Sequence, residues 1–558
     1  MKTRHYIYNK VWMLLAAVLV VTMMTSCERD NEVKAVVAPD EEKNDSLPTP
    51  SDEDYVAQTL SAIPGISNVT KQRGEYVDYE GYYFKVEQLV DNSDPSKGTF
   101  NQLCFLSVAD RNAPVMLYTN GYNLSTSVDS IGVHDIAQYL NANSLYVEHR
   151  YFGESLPEDF NNLDFTYFNA QQAAADLHRV VTLMKQYIFN KGNKWVSTGT
   201  SKCGINTTLY AYYSDLYGWD DIDLYMPFCA PFLTGTPQSA GDKTPGVYLH
   251  EVCGNNYPAG SPQAEAYQYL CAYPSAIANN KVLRDACLSY YHQKETYNYL
   301  RLLKDYPNDI EKAATVGVLD VFYENLFTKF SYIDFNAWCT MVPDPTAFST
   351  TGQDNLQALY NVVDFIFLSG DSLQARIDRQ NTNAGGAVAS VGRRSGFTVD
   401  EIRNLRRRDQ AMPYDIQAVR ELGSRLPDYS LLPADGFVTS DYCDYIVQNS
   451  LSLVANYGAY AKQWDGGELM RNVREWVNHT QKHLVFVYGS NDPWTGGAID
   501  SSNPWMDGVL SVNPANANVS KVLVLGGTHN HYFLNSKSYP VEASSAIKQA
   551  LDKYVSGK

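Results

Sequence analysis

Three short stretches of this 558-residue chain carry the residue types that acyl-transfer chemistry needs. The run Trp195-Val-Ser-Thr-Gly-Thr-Ser-Lys-Cys-Gly-Ile-Asn passes from an apolar, strand-like segment into a helix-like one, with Ser201 between Gly199 and Gly204. A serine on a sharp strand-to-helix turn exposes its hydroxyl for attack on a carbonyl, provided small neighbours let the backbone fold tightly and the next N–H faces the developing oxyanion. Cys203 stands where a G-x-S-x-G elbow has its second glycine, so the match is near rather than complete. Downstream, the apolar run from His483 to Tyr488 leads into Gly489-Ser-Asn-Asp492-Pro-Trp494, and Val522 to Leu525 leads into Gly526-Gly-Thr-His529-Asn-His531. A neutral imidazole there can take the serine proton and return it to the leaving group, while a buried aspartate fixes the tautomer and stabilises the imidazolium. Ser201, Asp492 and His529 are the expected nucleophile, orienting acid and base, with His529 preferred over His531 for its place behind the double glycine.

Two other segment ends add candidates. After Val115 to Tyr118 come Thr119-Asn-Gly121-Tyr122, where the N–H of Gly121 or Tyr122 can join that of Lys202 in an oxyanion hole. After Leu145 to Val147 come Glu148-His-Arg150-Tyr-Phe-Gly-Glu-Ser155. Glu148 and Arg150 are costly to bury unpaired, so one reading is a structural ion pair with each other or with neighbours. The other is that Glu148 receives a substrate ammonium. His529 and His531 alternate as a metal pair would, but no third ligand arrives at a familiar spacing and H-E-x-x-H is absent, so neither a metal nor another cofactor is expected.

These residues need a scaffold that delivers them to one edge. Tyr82 to Val90 and Thr99 to Val108, split by the turn-forming Asp91-Asn-Ser-Asp-Pro, predict an antiparallel hairpin. The apolar runs at 115–118, 145–147, 195–196, 222–228, 484–488 and 522–525 predict buried strands, and Ala173, Leu177, Val180, Val181, Met184 and Ile188 fall on one helical face between two of them. Val541 to Tyr554 predicts a closing helix. The class is α/β, and the chain order Ser, Asp, His is that of the α/β-hydrolases, with helices on both faces of the sheet. Residues 55–232 and 479–558 form the two parts of that core. Residues 233–478 depart from the alternation, carry helix-like patterns such as Ile310 to Phe330 and flexible stretches such as Asn383 to Gly396, and predict a large helical cap. Arg406-Arg-Arg is expected on a solvated helix face, and no repeat of fixed period is present.

The N-terminus predicts export. Lys2, Arg4 and Lys10 precede the apolar run Val11 to Met24 and then Thr25-Ser26-Cys27, the layout of a signal peptide over 1–26. About 14 apolar residues fall short of the roughly 20 that span a bilayer. Small residues before Cys27 resemble a bacterial lipobox, implying a lipidated Cys27 and a lipoprotein held in the periplasm or on the cell surface by that anchor alone. Residues 27–54 are acidic and rich in Pro, Ser and Asn, a tether rather than a core. Loss of the leader takes the net charge from −18 to −21, which argues against nucleic acid as a partner. The eight further cysteines include no C-x-x-C pair, and their pairing is not legible.

The blocks EHRYFGES, QQAAADL, STGTSKCG, YGSNDPW and GGTH, with TNGY as a weaker match, resemble the secreted bacterial tripeptidyl aminopeptidase family of serine peptidases. A more distant resemblance is to the prolyl carboxypeptidase and dipeptidyl peptidase family. It implies Ser201, Asp492 and His529 as triad, in agreement with the residues themselves. It also implies a preference for proline or another apolar residue beside the scissile bond, with Trp494 as a pocket wall. Thr200 and Cys203 depart from the family's glycine-rich elbow. The expected activity is a cofactor-free serine exopeptidase that releases short peptides, tripeptides by the resemblance, from free N-termini of oligopeptides. The alternatives are an esterase or lipase with the same triad and a catalytically silent surface-binding lipoprotein.

Overall fold

The computed structural model describes residues 55–157, 164–233, 253–254, 257–294, 299, 303, 307–348, 355–368, 411–423, 463–500, 509–534 and 539–557. The leader, Cys27, the tether, the 383–396 stretch and Arg406 to Arg408 lie outside them.

Among the described residues ten strands form one sheet: β1 (Ile66–Arg73), β2 (Glu80–Leu89), β3 (Thr99–Ser107), β4 (Val115–Thr119), β5 (Asn143–Val147), β6 (Trp195–Thr200), β7 (Leu224–Phe228), β8 (Leu484–Gly489), β9 (Leu510–Asn513) and β10 (Asn516–Val524). Their spatial order is β1-β2-β3-β5-β4-β6-β7-β8-β10-β9. The expected hairpin is β2 against β3, antiparallel, with Tyr82 opposite Leu106 and Leu89 opposite Thr99. From β5 across to β10 the neighbours run parallel, so the ends of β4, β6, β8 and β10 open on the same side. These central strands are buried on both faces and read as unbroken apolar runs, which is why they were visible in the sequence. The edge strands were not. Ile66-Ser-Asn-Val-Thr-Lys-Gln-Arg has no clear two-residue apolar alternation and becomes a strand through its pairing with β2. β9 exposes Leu510 and Val512 at the other edge.

Helices cover both faces. They include, in chain order, α1 (Asp135–Leu140), α2 (Ala170–Tyr187), α3 (Lys202–Tyr217), α4 (Pro262–Asn279), α5 (Lys281–Lys294), α6 (Ile310–Phe330), α7 (Leu356–Phe367), α8 (Glu468–Trp476) and α9 (Val541–Leu551). α2, α3 and α8 pack on one face around Val180, Leu209 and Met470, and α1 and α9 on the other around Ile136 and Ile547. In α2 the Asn169 side chain caps the Gln172 N–H, and Leu177, Val180, Val181 and Met184 are buried, each worth roughly 1.5–3 kcal/mol. The hairpin, parallel core and strand-to-helix turn after β6 make this an α/β-hydrolase fold.

Arg150 and Asp176 lock the hairpin to α2. Nε and Nη2 of Arg150 bond both Asp176 oxygens (2.7 and 2.8 Å), and its remaining N–H groups reach the carbonyls of Leu89, Val90 and Tyr167. Arg150 therefore pairs with Asp176 and not with Glu148, and all its donors are met, which a buried guanidinium requires.

Helices α4 to α7 build a second core of their own around Leu270, Tyr273, Phe322, Phe330 and Trp338. Leu422, Met470, Val473 and Trp476, later in the inserted region, pack instead on the sheet. Among the described residues no helix is long and apolar enough to cross a membrane.

Candidate active site

Ser201 sits between β6 and α3 at φ +60°, ψ −125°, a strained conformation for a side chain with a Cβ. Its N–H donates to the Phe228 carbonyl at the end of β7 (2.8 Å), and its own carbonyl accepts the Ile205 N–H (2.9 Å). The turn depends on two glycines. A Cβ on Gly199 would lie 2.5 Å from the Cys203 backbone, and one on Gly204 would lie 2.8 Å from the Phe228 oxygen. Cys203, at the second-glycine position, is part of this close packing, since its own Cβ would lie 2.6 Å from a Cβ on Gly199, and its Sγ accepts the Gly121 N–H at 3.1 Å.

That contact corrects one expectation. The Gly121 N–H, a candidate oxyanion donor, is spent on Cys203 Sγ. The same loop is gripped again by Lys202, whose fully buried Nζ donates to the Gly121 carbonyl (2.6 Å) and lies 5.5 and 5.1 Å from the Tyr122 and Phe152 ring centroids. Burial pushes the Lys202 ammonium from 10.5 down to about 7. The Lys202 backbone N–H opens α3, where helical N–H groups have no partner within the helix.

Asp492 and His529 are brought together from two loops. Nδ1 of His529 lies 2.7 Å from Asp492 Oδ2, while Asp492 Oδ1 accepts the Trp494 N–H at 2.9 Å and so caps the short helix Pro493–Gly497. The loops are zipped in register: Ser490 N–H reaches the Val524 carbonyl, Asn491 N–H the Gly527 carbonyl, and Gly526 N–H the Ser490 hydroxyl. Both side chains are buried, so the pair works at low dielectric. His531, partly buried, stacks on His134 with centroids 4.9 Å apart, and burial lowers its pKa to about 4.

Glu148 is bonded within its own loop and to Leu124. It has no exposed surface, and its carboxylate accepts the N–H groups of Leu124 (2.8 Å) and Glu154 (2.9 Å) and the Ser155 hydroxyl (2.6 Å). With these three donors on its carboxylate, it folds the loop 149–155, and burial moves its pKa up to about 7.

Residues with no sequence signal complete the surroundings. The carbonyl of Ser331, just past α6, accepts the His529 N–H (2.7 Å), the exposed Tyr332 ring stands edge-on to His529 with centroids 5.5 Å apart, and Asp334 accepts from Asn491 Nδ2 (2.8 Å). Trp494 is half-buried, its ring centroid 6.5 Å from His529. Cys229, at the end of β7, lies beside the Asp492 and His529 pair. Only its place at a strand end could have marked it.

Residues 50–242, which include the Ser201 turn, match the PS-10 peptidase S37 family. A prolyl tri/tetrapeptidyl aminopeptidase of Streptomyces mobaraensis is 24% identical over 449 residues, 79% of this chain and 75% of that protein. These matches support a serine peptidase similar to the tripeptidyl aminopeptidases. A serine protease of Bipolaris victoriae (strain FI3) is also similar, at 26% identity over 229 residues, 36% of this chain and 40% of that protein. Among solved structures, a peroxisomal α/β-hydrolase of Saccharomyces cerevisiae overlaps 88% of this chain and 91% of its own, at 11% identity and a TM-score of 0.34. The fold of this serine peptidase rests on its own strand order, not on that overlap.

Proposed function

We propose that this peptidase is an exopeptidase that removes short peptides, tripeptides foremost, from the free N-termini of oligopeptides. The observation that carries this reading is the contact between the inserted helical region and the catalytic histidine. Ser331 holds the His529 backbone and Tyr332 stands against its ring, so the cap roofs the site and favours narrow chain ends over folded protein. The name of the Streptomyces relative supports tri- and tetrapeptide products.

In this mechanism His529 Nε2 takes the Ser201 proton as Oγ attacks the carbonyl of the third residue, and Asp492 holds Nδ1–H and stabilises the imidazolium. The oxyanion accepts from the Lys202 N–H and the neighbouring Tyr122 N–H, donors worth about 10²–10³ in rate each. Collapse returns the proton to the leaving amine and leaves an acyl-enzyme, which water cleaves by the same steps in reverse. Trp494 and Tyr332 wall the residue beside the scissile bond. Lipidation at Cys27 holds the enzyme at a membrane surface outside the cytoplasm.

The test is to incubate the full chain with matched peptides bearing free or acetylated N-termini and identify products by mass spectrometry. Tripeptides from the free set alone are the expected result. Equal cleavage of both sets would make the enzyme an endopeptidase, and C-terminal trimming would make it a carboxypeptidase.

A further inference from the structure

The Asp492 and His529 pair has a neighbour that peptide hydrolysis does not use. Cys229 follows β7 at φ +50°, a left-handed conformation uncommon outside glycine, and is 1% exposed. Its Sγ, an Asp492 carboxylate oxygen and a ring nitrogen of His529 all lie within 4.8 Å of one another. The same sulfur lies 4.0 and 3.9 Å from the carbonyl oxygens of Thr528 and Asn530, on the loop that carries the histidine. Thiolate, imidazole and carboxylate together are the donor set that tetrahedral zinc and its softer relatives select.

We propose that Cys229, Asp492 and His529 form a binding site for a soft divalent cation, zinc or cadmium, whose occupation switches the peptidase off. On binding, the Cys229 thiol releases its proton to solvent and the sulfur lone pair binds the ion. The His529 ring proton moves from Nδ1 to Nε2, freeing the Nδ1 lone pair that faces Asp492, and the Asp492 oxygen exchanges that hydrogen bond for the metal. Zinc bonds of 2.0–2.3 Å place tetrahedral donors about 3.3–3.7 Å apart. The 2.7 Å gap between His529 Nδ1 and Asp492 Oδ2 therefore opens to admit the ion, with the sulfur already within 4.8 Å of a donor atom of each. A metallated His529 carries its proton on Nε2 and cannot accept another from Ser201, so inhibition follows from the tautomer alone.

The inhibitory half of this inference rests on the proposed triad, whereas ion binding does not, and the experiment reads the two separately. Cadmium is titrated into the full chain while thiolate-to-metal absorption in the ultraviolet and hydrolysis of a free-N-terminus peptide are followed in parallel. The wild type is expected to develop one saturable band as activity falls at the same cadmium concentration, with both reversed by a chelator. Ser201→Ala keeps the band because the serine is not a ligand. Cys229→Ser loses the band and tolerates at least about 10-fold more zinc or cadmium before inhibition, and Cys229→Ala serves if the serine variant folds poorly. An equal band and equal sensitivity in both Cys229 variants would overturn the site. A band that depends on Cys229 without inhibition would keep the metal site and reject His529 as the base.

Discussion

Replacing Lys202 with methionine separates what this side chain does for the rate from what its burial does to the fold. In the wild type the ammonium is held by the Gly121 carbonyl and two aromatic faces, with its pKa pushed from 10.5 to about 7 by burial. A depression from 10.5 to about 7 corresponds to an upper bound of about 5 kcal/mol opposing folding. The unfolded chain binds more protons than the folded one between those two values, so stability rises with pH across that window and the penalty is complete below it. Methionine carries no proton, and Lys202→Met therefore loses this slope. It is also more stable below about pH 7, less the roughly 1–3 kcal/mol of leaving the buried Gly121 carbonyl without its donor. Catalysis moves the other way. Below about pH 7, where the buried amine is protonated, the lost charged hydrogen bond, about 1.5–3 kcal/mol, no longer fixes the Gly121-Tyr122 loop against the elbow. The expected kcat falls about 10- to 100-fold with KM nearly unchanged. Thermal unfolding from about pH 6 to about pH 10 and steady-state kinetics read both effects. A pH slope unchanged from the wild type, or an unchanged kcat, refutes the reasoning.

Asp492→Asn keeps the cap on the Trp494 N–H but leaves His529 Nδ1–H without its carboxylate, and kcat is expected to fall on the order of 10³- to 10⁴-fold with the fold intact by circular dichroism; a loss under tenfold would remove Asp492 from the triad. Asp176→Ala strands the buried Arg150 guanidinium between the hairpin and α2 and is expected to destabilise by about 3–5 kcal/mol, read as a lower urea midpoint, whereas a change under about 1 kcal/mol would mean the pair is dispensable.

Much of the site was legible before folding because its signals are local. A strand buried on both faces is an unbroken apolar run, and a polar residue or glycine pair just beyond it marks a strand end. Ser201, Asp492 and His529 each stand in that position, and the α2 face at Leu177, Val180 and Met184 carried its own helical period. The edge strand β1 lacked such a signal, since its strand character comes from hydrogen bonds to β2.

By itself, then, the sequence determined the class of the sheet, its buried strands and three candidate residues just past their ends, because those depend on neighbours close in the chain. Tertiary structure alone decided what each polar group would hold. Glu148 closes a loop through Ser155, and Arg150 finds Asp176 some distance along α2. Gly121 gives its N–H to Cys203, 82 residues away. Ser331 and Tyr332 arrive at His529 from a separate helical core. Hydrogen-bond partnership is settled over about 3 Å in space, and no pattern along the chain encodes which distant donor will come within that range.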